Sequence, residues 1–331
     1  MRNAMMYSGV ITNYSCSAAC RHCMFASSPR AGKEFITEET AERIARRLSE
    51  AGVCSMHIGG GEPFLKFEAL CILLKAMQKY GIGVDYIETN AFWAREDREI
   101  DGKLSILRTL GVDTVMVSVD PFHIEFVPLE RPVRLVQALR RAGMDYFIWQ
   151  DRFLERLLPL DMRKTHGKEE LSALLGENYI EETAREYGVK VNGRALAIAK
   201  DIYQPQSAEE IMDDEPCRHL LSGTHCHVDL FGKVIPSGCP GISVELDDFF
   251  AGKLPKEKYP AAHRLYTGGV KALYEYAKAA GFEPDAKGYA TKCSLCCAVR
   301  IWLNENRPSP DIAPDCFYQE MKRAMEEDNG D

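Results

Sequence analysis

Residues 8–23, SGVITNYSCSAACRHC, decide how the chain is read. The run SGVITNY (8–14) is rich in β-branched and aromatic residues and predicts a strand, and a cysteine-rich loop follows it at once. Residues 38–51 then predict a helix. Thr37 is a suitable cap, Glu38 and Glu39 suit the positive helix start, Ala41, Ile44, Ala45 and Leu48 share one face, and Gly52 stops the run.

The same alternation repeats along the chain. CSMHIGG (54–60) leads to a helix near 67–80, and GVDYIETN (83–90) to one near 101–110. DTVMVSVD (113–120) leads to a helix near 130–142, and MDYFIW (144–149) to one near 168–187. VKVNGRALA (189–197) is the sixth strand candidate. Strand–helix alternation of this kind implies an α/β fold with a parallel sheet and right-handed crossovers. Six units suit a partial (β/α)6 barrel or a doubly wound sheet.

Beyond residue 205 the pattern changes to short elements, turn residues and cysteines. We expect a barrel-like domain over 1–205 and a smaller metal-dependent one over 206–331. Composition bounds the rest. With 331 residues, 46% hydrophobic and 27% charged, the chain is of ordinary globular type. A net charge of −8 without a long basic run argues against a broad nucleic-acid surface. No apolar stretch approaches the roughly 18 residues of a membrane span, and no secretory signal is visible, so a cytoplasmic protein is expected.

Twelve cysteines stand out, three within residues 16–23 and seven beyond residue 215. In a reducing compartment such clusters bind metal or do redox chemistry. Cys54 and Cys71, set in apolar periodic segments, read as small core residues. Cys16, Cys20 and Cys23 form a C-x3-C-x2-C triplet. Three thiolates can hold three irons of a cubane cluster and leave the fourth open, whereas electron-transfer clusters generally have four protein ligands. A zinc knot is the alternative, but the nearby His22 lies between two of the cysteines.

The triplet, in the loop after a first strand, resembles the signature of the radical SAM superfamily. The resemblance implies that S-adenosylmethionine chelates the open iron of a [4Fe-4S] cluster. One-electron reduction would then release a 5′-deoxyadenosyl radical, which abstracts a substrate hydrogen. His22, where the superfamily usually has an aromatic residue, would pack near the adenine. Gly59-Gly60-Gly61-Glu62-Pro63 resembles the superfamily's Gly-Gly-Glu-Pro turn, with Gly60 and Gly61 giving close backbone approach and Glu62 accepting from the methionine ammonium. Asn90 and Ser118 resemble ribose-contacting positions. Gly193-Arg194 resembles the site where an arginine meets the methionine carboxylate. These positions map to predicted C-terminal strand ends, where barrel enzymes build their sites.

The tail resembles the SPASM or shorter twitch extension that binds auxiliary clusters. From Gly232 to Cys239 the spacing is two residues longer than in that pattern, and the longer cysteine tail is absent, so one auxiliary [4Fe-4S] cluster is favoured. Cys217, Cys239, Cys293 and Cys296 are the preferred ligands. Cys226, Cys297 and Cys316 stay unassigned, and a spare thiol is a candidate hydrogen-atom donor to a substrate radical. A structural zinc site is the alternative. His225 and His227, alternating with Cys226 along a strand-like run, are expected to point away from any cluster. Asp120, His123, Asp151 and His166 read first as loop or surface residues, and Trp149 as pocket wall or core.

The resemblance implies modification of a peptide or protein substrate, with flavodoxin or ferredoxin as electron donor. Only about seven residues precede the first strand, which favours the alternative of a small-molecule or cofactor-precursor substrate. A non-catalytic iron-sulfur or zinc scaffold is the reading from another class.

Overall fold

The computed structural model describes residues 5–328. Its centre is an eight-stranded sheet of order β5-β4-β3-β2-β1-β6-β7-β8. The strands are β1 (Gly9–Ile11), β2 (Ser55–Gly59), β3 (Gly83–Thr89), β4 (Thr114–Ser118), β5 (Asp145–Trp149), β6 (His227–Val228), β7 (Lys233–Ile235) and β8 (Val244–Glu245). The pairs from β5 through β6 are parallel, and β6-β7-β8 continue antiparallel.

Helices at Glu38–Glu50, Phe67–Lys79, Asp97–Thr109 and Glu130–Ala142 follow the first four strands. Thr37 caps the first of them by accepting from the Thr40 N–H, and Ala41, Ile44, Ala45 and Leu48 are buried. The expected helix over 168–187 is two, Lys168–Leu175 and Tyr179–Tyr187, interrupted at Gly176 with φ +105. That backbone conformation lies outside a right-handed helix.

Strand residues alternate between two environments with the period of two that a pleat imposes. Val10, Ile58, Ile87, Val115 and Val117 are fully buried. Tyr86, Glu88, Met116, Ser118, Trp149 and His227 line a single cavity of about 340 Å³. Since β5 and β6 close opposite ends of the parallel set and still share that cavity, the sheet curves around it as an open barrel.

The sixth strand is not where the sequence suggested. Residues Gly193–Asp201 form a 3₁₀ helix. Gly193 has φ +54, and the Arg194 N–H donates to the Cys23 carbonyl at 2.9 Å. The alternating V-K-V segment is therefore followed by backbone tied to the cysteine loop, not to a strand neighbour. The sixth parallel strand is β6, which joins the far side of β1 through the register Gly9↔His227. The sheet thus runs unbroken across residue 205.

Cys71 is half-buried, but Cys54 is exposed, against the expectation that both are core. It sits in the loop between Gly52 and β2, where the apolar neighbours Val53 and Met56 take the interior. No helix among the described residues is long and apolar enough to cross a membrane.

Candidate functional site

The cavity lies at the C-terminal ends of the parallel strands, and the loop after β1 brings Cys16, Cys20 and Cys23 to its wall. Each thiol meets an N–H donor. The Cys16 Sγ accepts from Ala18 N at 3.4 Å and Asn90 Nδ2 at 3.5 Å, and the Cys23 Sγ accepts from Ser27 N at 3.3 Å. His123 hydrogen-bonds Cys20. Such outer partners orient metal ligands and favour thiolate. Burial pushes the Cys16 thiol well above its ordinary value, assisted by Cys20 and Glu62, and raises Cys20 as well. A bound cation reverses that penalty.

The turn after β2 is built against this loop. A side chain at Gly61 would place its Cβ 1.9 Å from the Ser15 carbonyl oxygen, and one at Gly60, where φ is +138, would lie 2.8 Å from the Asn13 carbonyl. Gly61 N donates to Asn13 O at 2.8 Å and Glu62 N to Ser15 O at 2.9 Å. The glycines are thus required by the close approach of two backbones.

Glu62 is buried at the cavity wall. Its carboxylate accepts from Phe64 N at 3.1 Å, the Thr89 hydroxyl at 2.9 Å and Asn90 N at 2.8 Å. Burial nevertheless pushes its pKa up to about 7. Asn90 ties the end of β3 to the loop, donating to Ser17 Oγ at 3.1 Å as well as to Cys16. Ser118, at the end of β4, lines the same space.

His22 also lines it, packed at 4.7 Å from the Tyr187 ring and 5.1 Å from the Phe122 ring, with its Nδ1 buried and unpartnered. Burial lowers its pKa to about 4. His22, Asp120 and His123 form the one group among the described residues whose ligand atoms lie within 4.8 Å of one another. Asp120 and His123 satisfy one another, whereas His22 keeps its unpartnered Nδ1. Asp120 accepts from Phe122 N, His123 N and His123 Nδ1, the last at 2.6 Å. Despite burial, the His123 and His22 rings hold the Asp120 carboxyl down at about 2.

Arg194 departs from the expectation of a carboxylate partner. Its guanidinium donates to the carbonyls of Cys20 at 2.9 Å, Ala26 at 2.8 Å and Ser27 at 2.8 Å, and stands 4.0 Å from Glu320. It clamps the cysteine loop from behind. The donors are the same, but backbone carbonyls use them.

The second cysteine group also converges. Cys217, Cys239, Cys293 and Cys296 interact electrostatically with one another. Cys293, Cys296, Cys297 and Arg300 sit at i, i+3, i+4 and i+7 on the helix Lys292–Asn306, and so share one face. Burial drives the Cys217 thiol up to about 11 and Cys239 higher. Beside them the buried Arg300 donates to Pro240 O at 2.7 Å, while its Nε has no partner. A buried cation with an orphaned donor next to four thiols fits an anionic group between them. A single zinc ion would draw its sulfur ligands to about 3.8 Å apart. Among the described residues, no three cysteines come within 4.8 Å, which fits a larger, polynuclear group.

Two of the other three cysteines lie apart, and Cys297 adjoins Cys293 and Cys296. Cys226 is buried against Ser8 Oγ at 3.4 Å, Cys316 packs beside Gly32, and Cys297 lies toward Arg300. His225 and His227 do project to the opposite side from Cys226, into the cavity. Trp149 is cavity wall. Asp120 and His123 are at the site, whereas Asp151 is exposed and His166 is buried against Glu170 and the Asp161 carbonyl. Sequence reasoning missed His57, Glu88 and Tyr187. A polar residue at every second place of a strand, as at Tyr86 and Glu88, was the available signal.

Comparison with known proteins gives the following. Residues 10–149 match the family described as the radical SAM superfamily. A Bacillus subtilis protein, named for peptide biosynthesis as YydG, is 29% identical over 116 residues, 34% of this chain and 35% of that protein. The chain therefore spans about a third of the length of that curated relative. Native anSMEcpe with bound AdoMet is 14% identical with a TM-score of 0.45, covering 98% of this chain and 97% of that one. SuiB of Streptococcus suis bound to S-adenosylmethionine is 17% identical with a TM-score of 0.45, covering 75% and 66%. The stretch similar to the radical SAM superfamily, residues 10–149, runs from within β1 to the end of β5 and includes the cysteine loop.

Proposed function

We propose that this chain is a radical SAM enzyme that modifies a peptide or protein. The observation that carries the reading is the cavity wall, where three thiols with N–H donors face Gly60, Gly61, Glu62, Asn90 and Ser118. Cys16, Cys20 and Cys23 would hold a [4Fe-4S] cluster. His22, with the glycine turn, Glu62, Asn90 and Ser118, would hold S-adenosylmethionine. When bound, these groups supply one-electron cleavage of the cofactor to a 5′-deoxyadenosyl radical able to abstract a substrate hydrogen.

The chain's own residues orient and shield. Asn90, Ala18, Ser27 and His123 direct donors at the thiols, and Arg194 fixes the loop that carries them. Tyr187 and Phe122 close around His22. In a water-poor wall, Glu62 binds a cation more strongly than it would at the surface. Residues 206–331 would act as a SPASM- or twitch-like auxiliary domain, with Cys217, Cys239, Cys293 and Cys296 around one further [4Fe-4S] cluster and Arg300 offsetting its charge. A flavodoxin or ferredoxin would deliver electrons. Peptide as substrate rests on the relative named for peptide biosynthesis. It is also supported by the exposed aromatics Phe147 and Trp149 on β5 beside the cavity.

The test is anaerobic reconstitution with iron and sulfide, addition of S-adenosylmethionine and dithionite, and quantification of 5′-deoxyadenosine. Product from the native protein and none from the Cys16→Ala/Cys20→Ala/Cys23→Ala variant is expected. A fully iron-loaded native protein that neither binds S-adenosylmethionine nor forms the product overturns the reading.

A further inference from the structure

Two residues after Cys217 stands a histidine that no step described so far uses. Cys217 opens the short 3₁₀ helix Arg218–Leu221. The turn is anchored at two points on the helix Pro260–Lys278. Cys217 N donates to Leu265 O at 2.8 Å, and the Arg218 guanidinium lies over the Tyr266 ring at 4.8 Å. From this turn the exposed His219 reaches a different thiol, with its Nε2 3.1 Å from Cys239 Sγ. One turn therefore supplies a thiol of its own and a ring that touches the sulfur of another.

Cys239 is approached from the interior as well. Pro240, the next residue, gives its carbonyl to the buried Arg300 at 2.7 Å, and the charge of that guanidinium acts on Cys296, Cys297 and Cys239. Gly238, the residue before, accepts from Asn192 Nδ2 at 3.0 Å, and Asn192 belongs to the cavity wall. The Cys239 loop is thus held by a guanidinium and by the cavity wall, while an imidazole meets its sulfur from the surface.

The direction of that contact follows from its chemistry. A thiolate offers only lone pairs, so the ring nitrogen must carry the proton and donate. A hydrogen bond to an anionic acceptor strengthens as the acceptor gains negative charge. One-electron reduction adds such charge to an iron–sulfur cluster, and hydrogen bonds to the sulfurs are among the levers that set its potential. We propose, resting on the auxiliary-cluster reading above, that His219 donates to Cys239 Sγ and thereby raises the reduction potential of that cluster. His219 stands outside the four thiols assigned as ligands. Its exposure separates it from Arg300, because removing a surface ring leaves no buried void and disturbs the fold little.

The test uses the full chain carrying Cys16→Ala/Cys20→Ala/Cys23→Ala, reconstituted anaerobically so that only the second cysteine group holds iron. A redox titration followed by electron paramagnetic resonance gives the midpoint potential. In that background His219→Leu should keep its iron and shift the equilibrium about tenfold against reduction, which is about 59 mV for one electron. His219→Gln, which retains an N–H donor, should recover part of the shift. In the chain with all its cysteines, the signal that S-adenosylmethionine does not perturb gives the same comparison if the triple variant does not fold. Retained iron with an unmoved potential in His219→Leu overturns the role of His219 and leaves the cluster standing. Loss of iron in both histidine variants makes the ring a ligand and overturns the donor role equally. No [4Fe-4S] signal from the second cysteine group overturns the cluster and the role of His219 together.

Discussion

Arg194→Ala separates two roles for one guanidinium. In the structure the group makes three hydrogen bonds to backbone carbonyls of Cys20, Ala26 and Ser27, all between 2.8 and 2.9 Å. Bonds involving a charged donor contribute about 1.5–3 kcal/mol each. Their low end gives a loss of about 4–5 kcal/mol, reduced to about 3–4 kcal/mol by relief from burying the guanidinium. For 331 residues at about 2.1 cal/mol/K each, the unfolding entropy is near 0.7 kcal/mol/K, so Tm should fall by about 5 °C. The loss is concentrated on the loop that carries Cys20 and Cys23, so reconstituted iron should fall with it. Arg194→Lys, a point charge with three donors, should recover about half. Calorimetry and iron analysis check both variants. Unchanged Tm and iron, with a weakened Kd for S-adenosylmethionine, would refute the clamp and return Arg194 to the cofactor.

Gly61→Ala forces a Cβ into the Ser15 carbonyl and disturbs two backbone hydrogen bonds. We expect about 2–4 kcal/mol of destabilisation by urea titration and loss of iron at the first cysteine group. Glu62, with a folded pKa of about 7 against 4.5 unfolded, binds more protons in the native state. Cluster-free protein should therefore lose about 3 kcal/mol as pH rises from 4.5 to 7 and then level off. Glu62→Gln should reduce that slope by Glu62's share, leaving the part owed to the buried Glu88, as read from denaturant midpoints. Cys296→Ser should cost the auxiliary iron, measured by iron content and electron paramagnetic resonance, whereas Cys297→Ser should keep it.

Much of this was legible because it is local. β1 to β5 carry short stretches of apolar, β-branched and aromatic residues between turn residues, and Thr37 caps its helix through a side chain three residues from its target. The cysteine loop and the glycine turn are short spans whose spacing is their geometry. The helix Lys292–Asn306, which sets Cys293, Cys296, Cys297 and Arg300 on one face, was not read in the sequence, where the tail showed only short elements, turn residues and cysteines. What failed is nonlocal. The V-K-V alternation before Gly193 is too short to outweigh a positive φ and a bond to Cys23. Arg194 offers the same fork to a ligand carboxylate and to three carbonyls, and only packing chooses between them. His57 and His227 lie 170 positions apart and meet through a glycine on a third strand.

The placement of β6 also bears on when the protein can mature. β1 has its second neighbour only after residue 228 has been made, and contacts such as Ser8 with Cys226 span 218 positions. A nascent chain halted near residue 205 would hold β1 with an open hydrogen-bonding edge and the cysteine loop unsupported by Glu320. Such edges recruit other chains, and closing so long a loop is slow relative to local helix formation. Productive iron loading therefore belongs after chain release, and expression yield should depend more on chaperone supply during synthesis than on iron supply at that stage.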